Sequence, residues 1–455
     1  MVGQGVDECG VIMSDQSLKA KTIGDVIAKM DGREPLDRSE RRVQWNQFYT
    51  DSKRREIPTM ITSFTKKSRG YKTLFGGHSG NGKSTELSRF KEDPKISERF
   101  TLISFDVSDI LNPDDLEIVE LLLVIFLEVC ENAKKNQMQI NDDLSKRFEK
   151  MVGYFHKTLE ISSESKKSFR TVLDIKPSMI NRIKAEYDFR NTIRETYRPR
   201  LNELIILIND LLQVLTELFN SERTPMIIVD GLDRMSVKKA RKLFVEDGQN
   251  IALIKNASML LTIPISLIHT NDHGLIEGTI GPITVFKNLS LKTRKGQEDE
   301  ETVRNKNILK DFVSRRMELS LIDPEALDLA IGYSGGVFRT LMDLISFAAV
   351  LAETFENKKI TTEDMKESVK EAKTKKSRPL IRKHWEMLDE VKKNKGFRYS
   401  GLEEEARREL LQNLLILEYM NGGVWYDINP LLEDDLQSFR EELKRMEQKS
   451  HQIEH

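Results

Sequence analysis

The sequence has little cysteine and no long apolar run, and each absence excludes a class of protein. Two cysteines in 455 residues, Cys9 and Cys130, exclude a disulfide-rich secreted scaffold and fit a reducing compartment. The longest apolar stretch, residues 121–127, is too short to span a bilayer. The first residues carry acids and lack the apolar segment of a signal peptide. We therefore predict a cytoplasmic protein that does not enter a membrane.

Neither sign of charge is in excess. Lys and Arg total 72 against 73 Asp and Glu, a formal net charge of -1. This balance argues against a protein that coats nucleic acid by bulk positive charge, although local basic patches remain open. Hydrophobic residues make up 38% of the chain and charged residues 32%, which excludes global disorder. At roughly 150 residues per domain, the length predicts about three domains.

Short apolar runs separated by helical patterns dominate the first two thirds of the chain. Such runs are typical of buried parallel strands, so we predict an α/β fold with a doubly wound parallel sheet. Residues 113–222 are interpreted as a helical insertion, with a loop over 160–178. The insertion either covers the sheet or forms a partner-binding arm. The predicted strands are Thr73–Phe75, Leu102–Val107, Met226–Val229, Met259–Ile263 and Ile283–Phe286.

The strongest motif spans residues 77–84 and fits the P-loop pattern G-x-x-x-x-G-K-[ST]. It follows an apolar run and precedes a helical pattern, a context that argues against a chance match. Glycines let backbone N–H groups turn toward phosphate, and the next helix directs its positive end there. We predict that Lys83 reaches the β and γ phosphates of ATP, and that Ser84 binds Mg2+. The predicted nucleotide-binding residues are Gly77, His78, Ser79, Gly80, Asn81, Gly82, Lys83, Ser84 and Thr85.

An acid at the end of a second strand completes the predicted metal site. Asp230 follows the run Met226–Val229 and is the predicted second Mg2+ ligand. Asp233 either orients the attacking water or caps the helix that starts near Ser236. No Glu directly follows Asp230, so the motif favours nucleotide binding over fast turnover.

Two further residues are candidate sensors of the γ phosphate. Thr262 lies in the fourth strand and either bonds the phosphate or serves only as a β-forming residue. Arg339 follows Gly335-Gly336 at the start of an apolar helix. It either reaches the γ phosphate or is an ordinary surface arginine. The predicted catalytic residues are Lys83, Asp230, Asp233, Thr262 and Arg339.

These motifs together resemble the AAA+/STAND superclass of P-loop ATPases over residues 70–350. Residues 80–87 resemble the Walker A motif of bacterial members. Residues 230–233 are similar to the Walker B motif of NACHT-type STAND proteins, although Arg234 stands where many of them have an acid. Residues 334–339 resemble the sensor 2 segment of origin-recognition-type AAA+ proteins.

The resemblance implies a P-loop core, a helical lid that carries Arg339 and a C-terminal winged helix. Such proteins are nucleotide-gated switches or oligomeric motors, and many bacterial members act in anti-phage defence or on DNA. The arginine finger of many AAA+ proteins is missing, because residues 264–284 contain no Arg or Lys. Arg315 and Arg316, further along the chain, would be substitutes for it.

The predicted domains are a helical lead-in (1–70), the core with its insertion (71–291), the lid (292–375) and a winged-helix-like region (376–455). Within the lid, residues 292–306 are expected to be a charged loop. In the last region we expect a leucine helix from Leu410 to Leu417, a turn at Gly422-Gly423 and a strand over Val424–Ile428. Residues 366–398 carry a net charge of +7, and this stretch either binds phosphates or is a solvated helical face.

The sequence leaves three functions open. The preferred one is a slowly hydrolysing ATP switch in a bacterial assembly, with anti-phage defence as one setting. It would act with a separate effector subunit, because no effector motif is evident, and it could form homo-oligomers. The alternative is an ATP-dependent loader or initiator that binds DNA through residues 375–450. A small-molecule kinase is the third, disfavoured by the absence of an acceptor-base loop.

Overall fold

The computed structural model describes residues 18–32, 36, 42–158, 169–219, 222–397 and 404–453. The chain divides into two compact units, and each is built from separate stretches of sequence. The first unit comprises residues 1–52, 289–380 and 429–455. The second comprises residues 53–288 and 381–428. The predicted lead-in and the predicted C-terminal region are therefore each shared between the two units.

The strands and helices of the described residues follow the predicted alternation. The strands are β1 (Lys72–Gly77), β2 (Phe100–Asp106), β3 (Thr224–Asp230), β4 (Ser258–Pro264), β5 (Ile283–Phe286), β6 (Ile416–Met420) and β7 (Val424–Ile428). The helices are α1 (Ile23–Lys29), α2 (Arg42–Phe48), α3 (Glu56–Lys66), α4 (Lys83–Lys91), α5 (Pro94–Ser97), α6 (Val107–Ile110), α7 (Ile118–Lys135), α8 (Asp142–Thr158), α9 (Phe169–Ala185), α10 (Tyr187–Tyr197), α11 (Leu201–Leu218), α12 (Val237–Arg241), α13 (Gly248–Ala252), α14 (Ile265–Ile268), α15 (His273–Thr279), α16 (Glu300–Arg316), α17 (Pro324–Ser334), α18 (Phe338–Thr354), α19 (Thr362–Ser377), α20 (Arg382–Asn394), α21 (Glu404–Gln412) and α22 (Glu433–Ile453).

The second unit contains a five-stranded sheet in the order β2-β3-β4-β1-β5, with every pair parallel. Its side chains alternate between two apolar cores. Leu74 and Ile227 belong to one core, and the adjacent Phe75 and Ile228 belong to the other. A parallel sheet buried on both faces requires such apolar strands. The prediction of a doubly wound parallel sheet is confirmed. Each of the five strands overlaps its predicted run, although β2 ends at Asp106 and Val107 begins α6.

The insertion between β2 and β3 is helical in its described parts, as predicted. Helices α7 to α11 pack into the core on one face of the sheet. The expected loop over 160–178 is wrong from Phe169 onward, because α9 starts there. Its buried Val172, Ile175, Met179 and Ile183 recur every three to four residues, an apolar face that the polar composition concealed. The first part of that expected loop lies outside the described residues.

The first unit is helical where it is described, with an apolar core formed mainly by α1 and α16 to α19. The expected loop over 292–306 is too long, because α16 begins at Glu300. Asp299 and Thr302 form a capping box, in which each side chain accepts the backbone N–H of the other residue. This pattern starts the helix within a segment whose charge suggested a loop.

The described residues of the range 381–428 form two helices and a hairpin within the second unit. The expected helix from Leu410 to Leu417 is wrong at its end, because α21 stops at Gln412 and β6 begins at Ile416. Leu414 adopts φ of 56°, a left-handed conformation that breaks the helix. The pairing of β6 with β7, including Leu417 with Asp427, outweighs the helical spacing of the leucines.

No described helix combines the length and the apolar composition needed to cross a bilayer.

Candidate nucleotide-binding site

A glycine-rich loop joins β1 to α4 and has the backbone shape of a phosphate cradle. Gly80 and Gly82 adopt φ of 75° and 90°, which side-chain-bearing residues rarely adopt. At Gly77, with φ of 149°, an added Cβ would lie 2.4 Å from the carbonyl oxygen of Phe286. Helix α4 begins directly after Gly82, so its free N–H groups lie at the end of the loop. Glycine is thus required at these positions by geometry.

Lys83 lies within the cradle and is almost completely buried, with a side chain 4% exposed. Its Nζ donates to the carbonyl oxygens of Gly77 and His78, both at 3.0 Å. The same Nζ lies 2.7 Å from Oδ2 of Asp233. The ammonium group is therefore held by three protein oxygens inside the loop.

Ser84 and Asp230 are brought together, as the predicted metal site requires. The Ser84 hydroxyl donates a hydrogen bond to the Asp230 carboxylate, which also accepts the N–H of Gly231 at 2.8 Å. A hydroxyl and a carboxylate in contact are oxygen ligands of the kind that Mg2+ prefers. The glycine loop, the buried lysine and this pair all lie at the carboxyl edge of the parallel sheet. The chain has a P-loop NTPase fold.

The Asp230 carboxyl has an unusual proton affinity. Burial, together with the nearby Asp233 and Asp106 charges, raises its pKa to about 6 against the opposing hydrogen bonds from Ser84 and Gly231. A carboxylate held against its own solvation becomes more stable when a divalent cation approaches. The raised pKa therefore fits a residue that binds a cation in the working protein.

We expect this pKa to make the nucleotide-free fold less stable as the pH rises. A carboxyl whose pKa is higher in the folded than in the unfolded chain binds more protons when folded, so folding stability falls between the two pKa values. Here that range runs from 3.8 to about 6. Urea denaturation without Mg2+ should therefore show that wild type loses about 1 kcal/mol more than Asp230→Asn between pH 5 and pH 7. Equal losses in the two proteins would contradict the raised pKa.

Asp233 lies in the turn after β3, and Thr262 of the adjacent β4 contacts that turn. Asp233 lies in a short 3-10 turn (Leu232–Arg234) and contacts Lys83, so it does not cap the helix that follows Ser236. Thr262 is fully buried, and its hydroxyl accepts the N–H of Leu232 at 3.0 Å. In this state Thr262 holds the turn that carries Asp233, and its hydroxyl is already engaged with protein.

Asp106 is a third acid at this edge that the sequence analysis did not select. It ends β2 and stands in register with Asp230 on the adjacent strand. Its Oδ1 accepts the N–H of Ser108, and Arg234 lies 3.6 Å from its Oδ2. The signal was partly hidden, because Asp106 lies inside the predicted run Leu102–Val107, whereas Asp230 follows its run directly.

The P-loop also contacts the C-terminal hairpin, through residues that the sequence did not bring together. The backbone N–H of Glu418 in β6 donates to Nε2 of His78 at 2.9 Å, and both residues are buried. Asn288 donates to the Glu418 carbonyl oxygen at 3.2 Å. The Glu418 carboxylate lies 2.5 Å from Nε2 of His269, whose Nδ1 lies 3.1 Å from the Tyr426 hydroxyl. Glu418 thus connects the hairpin to three loops of the core.

Further contacts lie next to those of Glu418, at Tyr426 of the hairpin and in helix α21. Burial raises the pKa of Tyr426, and the adjacent negative charge of Glu418 adds to the effect. Helix α21 packs against α14, and Gln412 at its end lies 3.5 Å from the Asp233 carbonyl oxygen. His273, four residues after His269, contacts the Ile268 carbonyl oxygen and the Glu277 carboxylate. The hairpin therefore contacts the P-loop, and the adjacent helix α21 contacts the turn after β3.

Arg54, which lies just before α3, also contacts the P-loop. The sequence analysis did not select it as a site residue. Its terminal nitrogens donate to the carbonyl oxygen of Asn81 at 3.1 Å and to its Oδ1 at 2.9 Å. The guanidinium carbon lies 4.1 Å from the ring centre of Phe286. Nothing in the local pattern of the sequence distinguishes Arg54 from the neighbouring Arg55.

The remaining predicted residues divide between the two units. Ser79 is exposed and Thr85 is half-buried in the first turn of α4, both in the second unit. Arg339 belongs to the first unit, where it lies in the first turn of α18 and its Nε donates to the Gly32 carbonyl oxygen at 3.2 Å. The substitutes for an arginine finger are engaged within the same unit. Arg315 pairs with Asp311, and the buried Arg316 donates to two backbone carbonyl oxygens.

Comparisons with known proteins give matches among solved structures alone. A scan against protein-family models finds no match, and neither does a search of curated proteins. CDC6P from Pyrobaculum aerophilum is similar, at 12% identity and a TM-score of 0.37, over 91% of this chain and 98% of its own. The ORC2 protein of Aeropyrum pernix, in ADPNP-ADP complexes, has 10% identity and a TM-score of 0.38 over 92% and 98%. Drosophila ORC bound to DNA has 11% identity and a TM-score of 0.39 over 96% of each chain.

Proposed function

We propose that this protein is a nucleotide-gated switch that binds ATP with Mg2+ and hydrolyses it slowly. The observation that carries the proposal is the Ser84–Asp230 hydrogen bond beside the buried Lys83 in a glycine cradle. A helix N-terminus and inward N–H groups bind phosphate, and the oxygen pair suits Mg2+. Adenine is chosen over guanine from the resemblance to AAA+/STAND ATPases.

Each residue has a proposed task at the site. Residues 77–85 hold the phosphates, and Lys83 supplies positive charge where negative charge develops on the transferred group. Ser84 and Asp230 hold Mg2+, which when bound neutralises phosphate charge. Asp233 orients the attacking water once the phosphate has replaced it at Lys83. Thr262 positions the turn of Asp233, and Arg339 senses the γ phosphate.

Slow turnover follows from the groups that would surround the attacking water. The chain has no Glu after Asp230, and Asp233 is held by Lys83 before nucleotide binds. Arg315 and Arg316 are engaged within their own unit, and residues 264–284 contain no Arg or Lys. A weak base and no added cation give little stabilisation of the transition state. The same features leave nucleotide binding intact, which suits a switch.

The gating part of the proposal rests on the hairpin. A phosphate that enters the cradle would shift the P-loop backbone at His78. The Nε2 atom of His78 accepts a hydrogen bond from the backbone N–H of Glu418, so the shift would reach the hairpin. A ligand shifts such a contact only if it binds the two arrangements with different affinities. Mass photometry with ADP and with a non-hydrolysable ATP analogue tests the switch, because a nucleotide-dependent assembly size supports it. The finer setting that we propose is cytoplasmic, in a bacterial assembly with a separate effector, of which anti-phage defence is one form.

Analysis of the products of labelled ATP tests the activity. With γ-labelled ATP and Mg2+, we expect the label to appear as free phosphate at a slow, enzyme-dependent rate. Label on a small metabolite would identify a kinase instead and overturn the hydrolase proposal. Lys83→Ala protein purified in parallel is the control for contaminating phosphatases, since it should release no phosphate above background.

The second candidate is an ATP-dependent loader or initiator that binds DNA through residues 375–450. The observation in its favour is the basic stretch 366–398, with 12 Lys and Arg against 5 Asp and Glu. Several of these cations pair with neighbouring acids, such as Lys370 with Glu367, but exposed pairs are weak and yield to phosphate. The similar Drosophila ORC is itself bound to DNA.

Salt-dependent DNA binding by the full chain separates the two candidates. Binding of a labelled duplex that weakens steeply between 50 and 200 mM salt, and that changes when ATP is added, would favour the loader. Absence of binding at the lower salt concentration would remove it. The switch proposal requires neither result.

A further inference from the structure

We propose that Arg54 is a positioning residue of the nucleotide site. It fixes the orientation of the peptide that joins Asn81 to Gly82, and thereby sets the affinity of the P-loop for the phosphates of a nucleotide. The proposal rests on the proposed function, since it concerns the same cradle. It adds a residue that lies outside the P-loop motif and 27 positions before Asn81.

The contacts of Arg54 form a closed ring around Asn81. Two guanidinium nitrogens donate to the backbone and side-chain oxygens of Asn81, at 3.1 Å and 2.9 Å. The Asn81 amide nitrogen donates in turn to the Phe286 carbonyl oxygen at 3.0 Å. Arg54 lies over the Phe286 ring at 4.1 Å, which completes the ring of contacts. Asn81 is fully buried, so these contacts restrain both its backbone and its side chain.

The peptide after Asn81 needs such a restraint because glycines flank that residue. Gly80 and Gly82 both have positive φ, and glycine tolerates either sign, so sterics oppose a flip of this peptide only weakly. In a planar trans peptide the C=O and the next N–H point in opposite directions. Because the Asn81 oxygen is held by Arg54, the Gly82 N–H points away from Arg54. A flipped peptide would instead present a carbonyl oxygen to the anion and repel it.

Arginine suits this task better than lysine. Its planar group donates two parallel hydrogen bonds to two oxygens at once and stacks on an aromatic ring at the same time. Lysine carries the same charge on a single nitrogen, which cannot reproduce the fork. The substitution Arg54→Lys therefore separates the effect of charge from the effect of hydrogen-bond geometry.

A merely structural tie between the segment before α3 and the sheet is the competing interpretation. That interpretation predicts that Arg54→Ala is less stable than wild type. It also predicts that the variant binds nucleotide with normal affinity at temperatures where it is folded. The positioning role predicts weaker phosphate binding in a folded protein, and a KM for ATP that rises by a larger factor than kcat falls. Because the phosphates of ADP would also lie in the cradle, ADP and ATP should be affected alike.

The experiment measures ADP and ATP affinity of the full chain by calorimetry, with circular dichroism and thermal unfolding of every variant. The variants are Arg54→Ala, Arg54→Lys, Asn81→Ala and the Arg54→Ala/Asn81→Ala double variant. Arg55→Ala is the matched control, because Arg55 is adjacent, equally charged and makes no side-chain cap to α3.

We expect Arg54→Ala to weaken both nucleotides about ten- to hundredfold, as for loss of hydrogen bonds from a charged donor. Arg54→Lys should stay at least about fivefold weaker than wild type, and Arg55→Ala should match wild type. The double variant should lose less affinity than the two single losses combined, because the residues act through one contact. Wild-type affinity in a folded Arg54→Ala protein overturns this inference and leaves the proposed function standing. Wild-type affinity in Arg54→Lys does the same. A wild-type chain that binds neither nucleotide overturns the proposed function and this inference with it.

Discussion

Lys83→Ala is expected to abolish detectable ATP binding while the protein stays folded. The substitution removes the only ammonium group that the described structure places within the cradle, and it leaves two carbonyl oxygens and the Asp233 carboxylate where the phosphates should lie. Each lost charge-assisted hydrogen bond costs about 1.5–3 kcal/mol. The Asp233 carboxylate, left without its lysine partner, also repels the phosphates, so affinity should fall by ~100-fold or more. Calorimetric titration with ATP and Mg2+ measures the loss.

Lys95→Ala is the matched control for that variant, because Lys95 is an exposed lysine in the nearby α5 and its removal changes the net charge equally. The control should bind ATP as wild type does. Affinity within threefold of wild type in a folded Lys83→Ala protein would mean that nucleotide does not bind in this loop. The site assignment would then be wrong.

Asp230→Asn is expected to bind nucleotide and to turn it over very slowly. Asparagine keeps the size of the side chain and an oxygen near Ser84, but it removes the negative charge that would face Mg2+. Nucleotide affinity should stay within about tenfold of wild type, since the cradle itself is unchanged. Phosphate release in a single turnover should fall by about 100-fold or more, by analogy with the loss of one preorganised electrostatic group.

Asp109→Asn controls for the substitution itself, because Asp109 is an exposed carboxylate in α6. It should leave phosphate release unchanged. Turnover of Asp230→Asn within threefold of wild type would show that this carboxylate does not serve the chemistry. A metal titration of both proteins should show a higher Mg2+ requirement in Asp230→Asn.

The sheet and the cradle were predictable because their signals are local. Each strand is an apolar run that a parallel sheet buries on both faces, and the P-loop is a single stretch whose glycines and lysine stand at fixed spacing. The meeting of Asp230 with Ser84 follows from the sheet, since parallel strands end at one edge. These features depend on neighbours in sequence or on one general rule of topology.

The contacts that complete the site could not be predicted in the same way. Arg54 and Asn81 are 27 residues apart, and His78 and Glu418 are 340 apart, and no periodicity connects such pairs. Glu418 carried a weak signal, because it is an acid between Leu417 and Tyr419 in a strand whose neighbours are buried. The partner of a buried acid depends on tertiary packing, which the sequence pattern alone does not specify.

The interleaving of the two units has a consequence for biosynthesis. Residues 53–288 and 381–428 form one unit, and residues on either side of each stretch form the other. Proteins synthesised on the ribosome commonly fold domain by domain as each leaves the exit tunnel. Here neither unit is complete until its last stretch has left the tunnel, because Glu418 must emerge before it can contact His78 and His269. Translation pauses before codon 381 should therefore prolong an intermediate in which the nascent second unit lacks its hairpin.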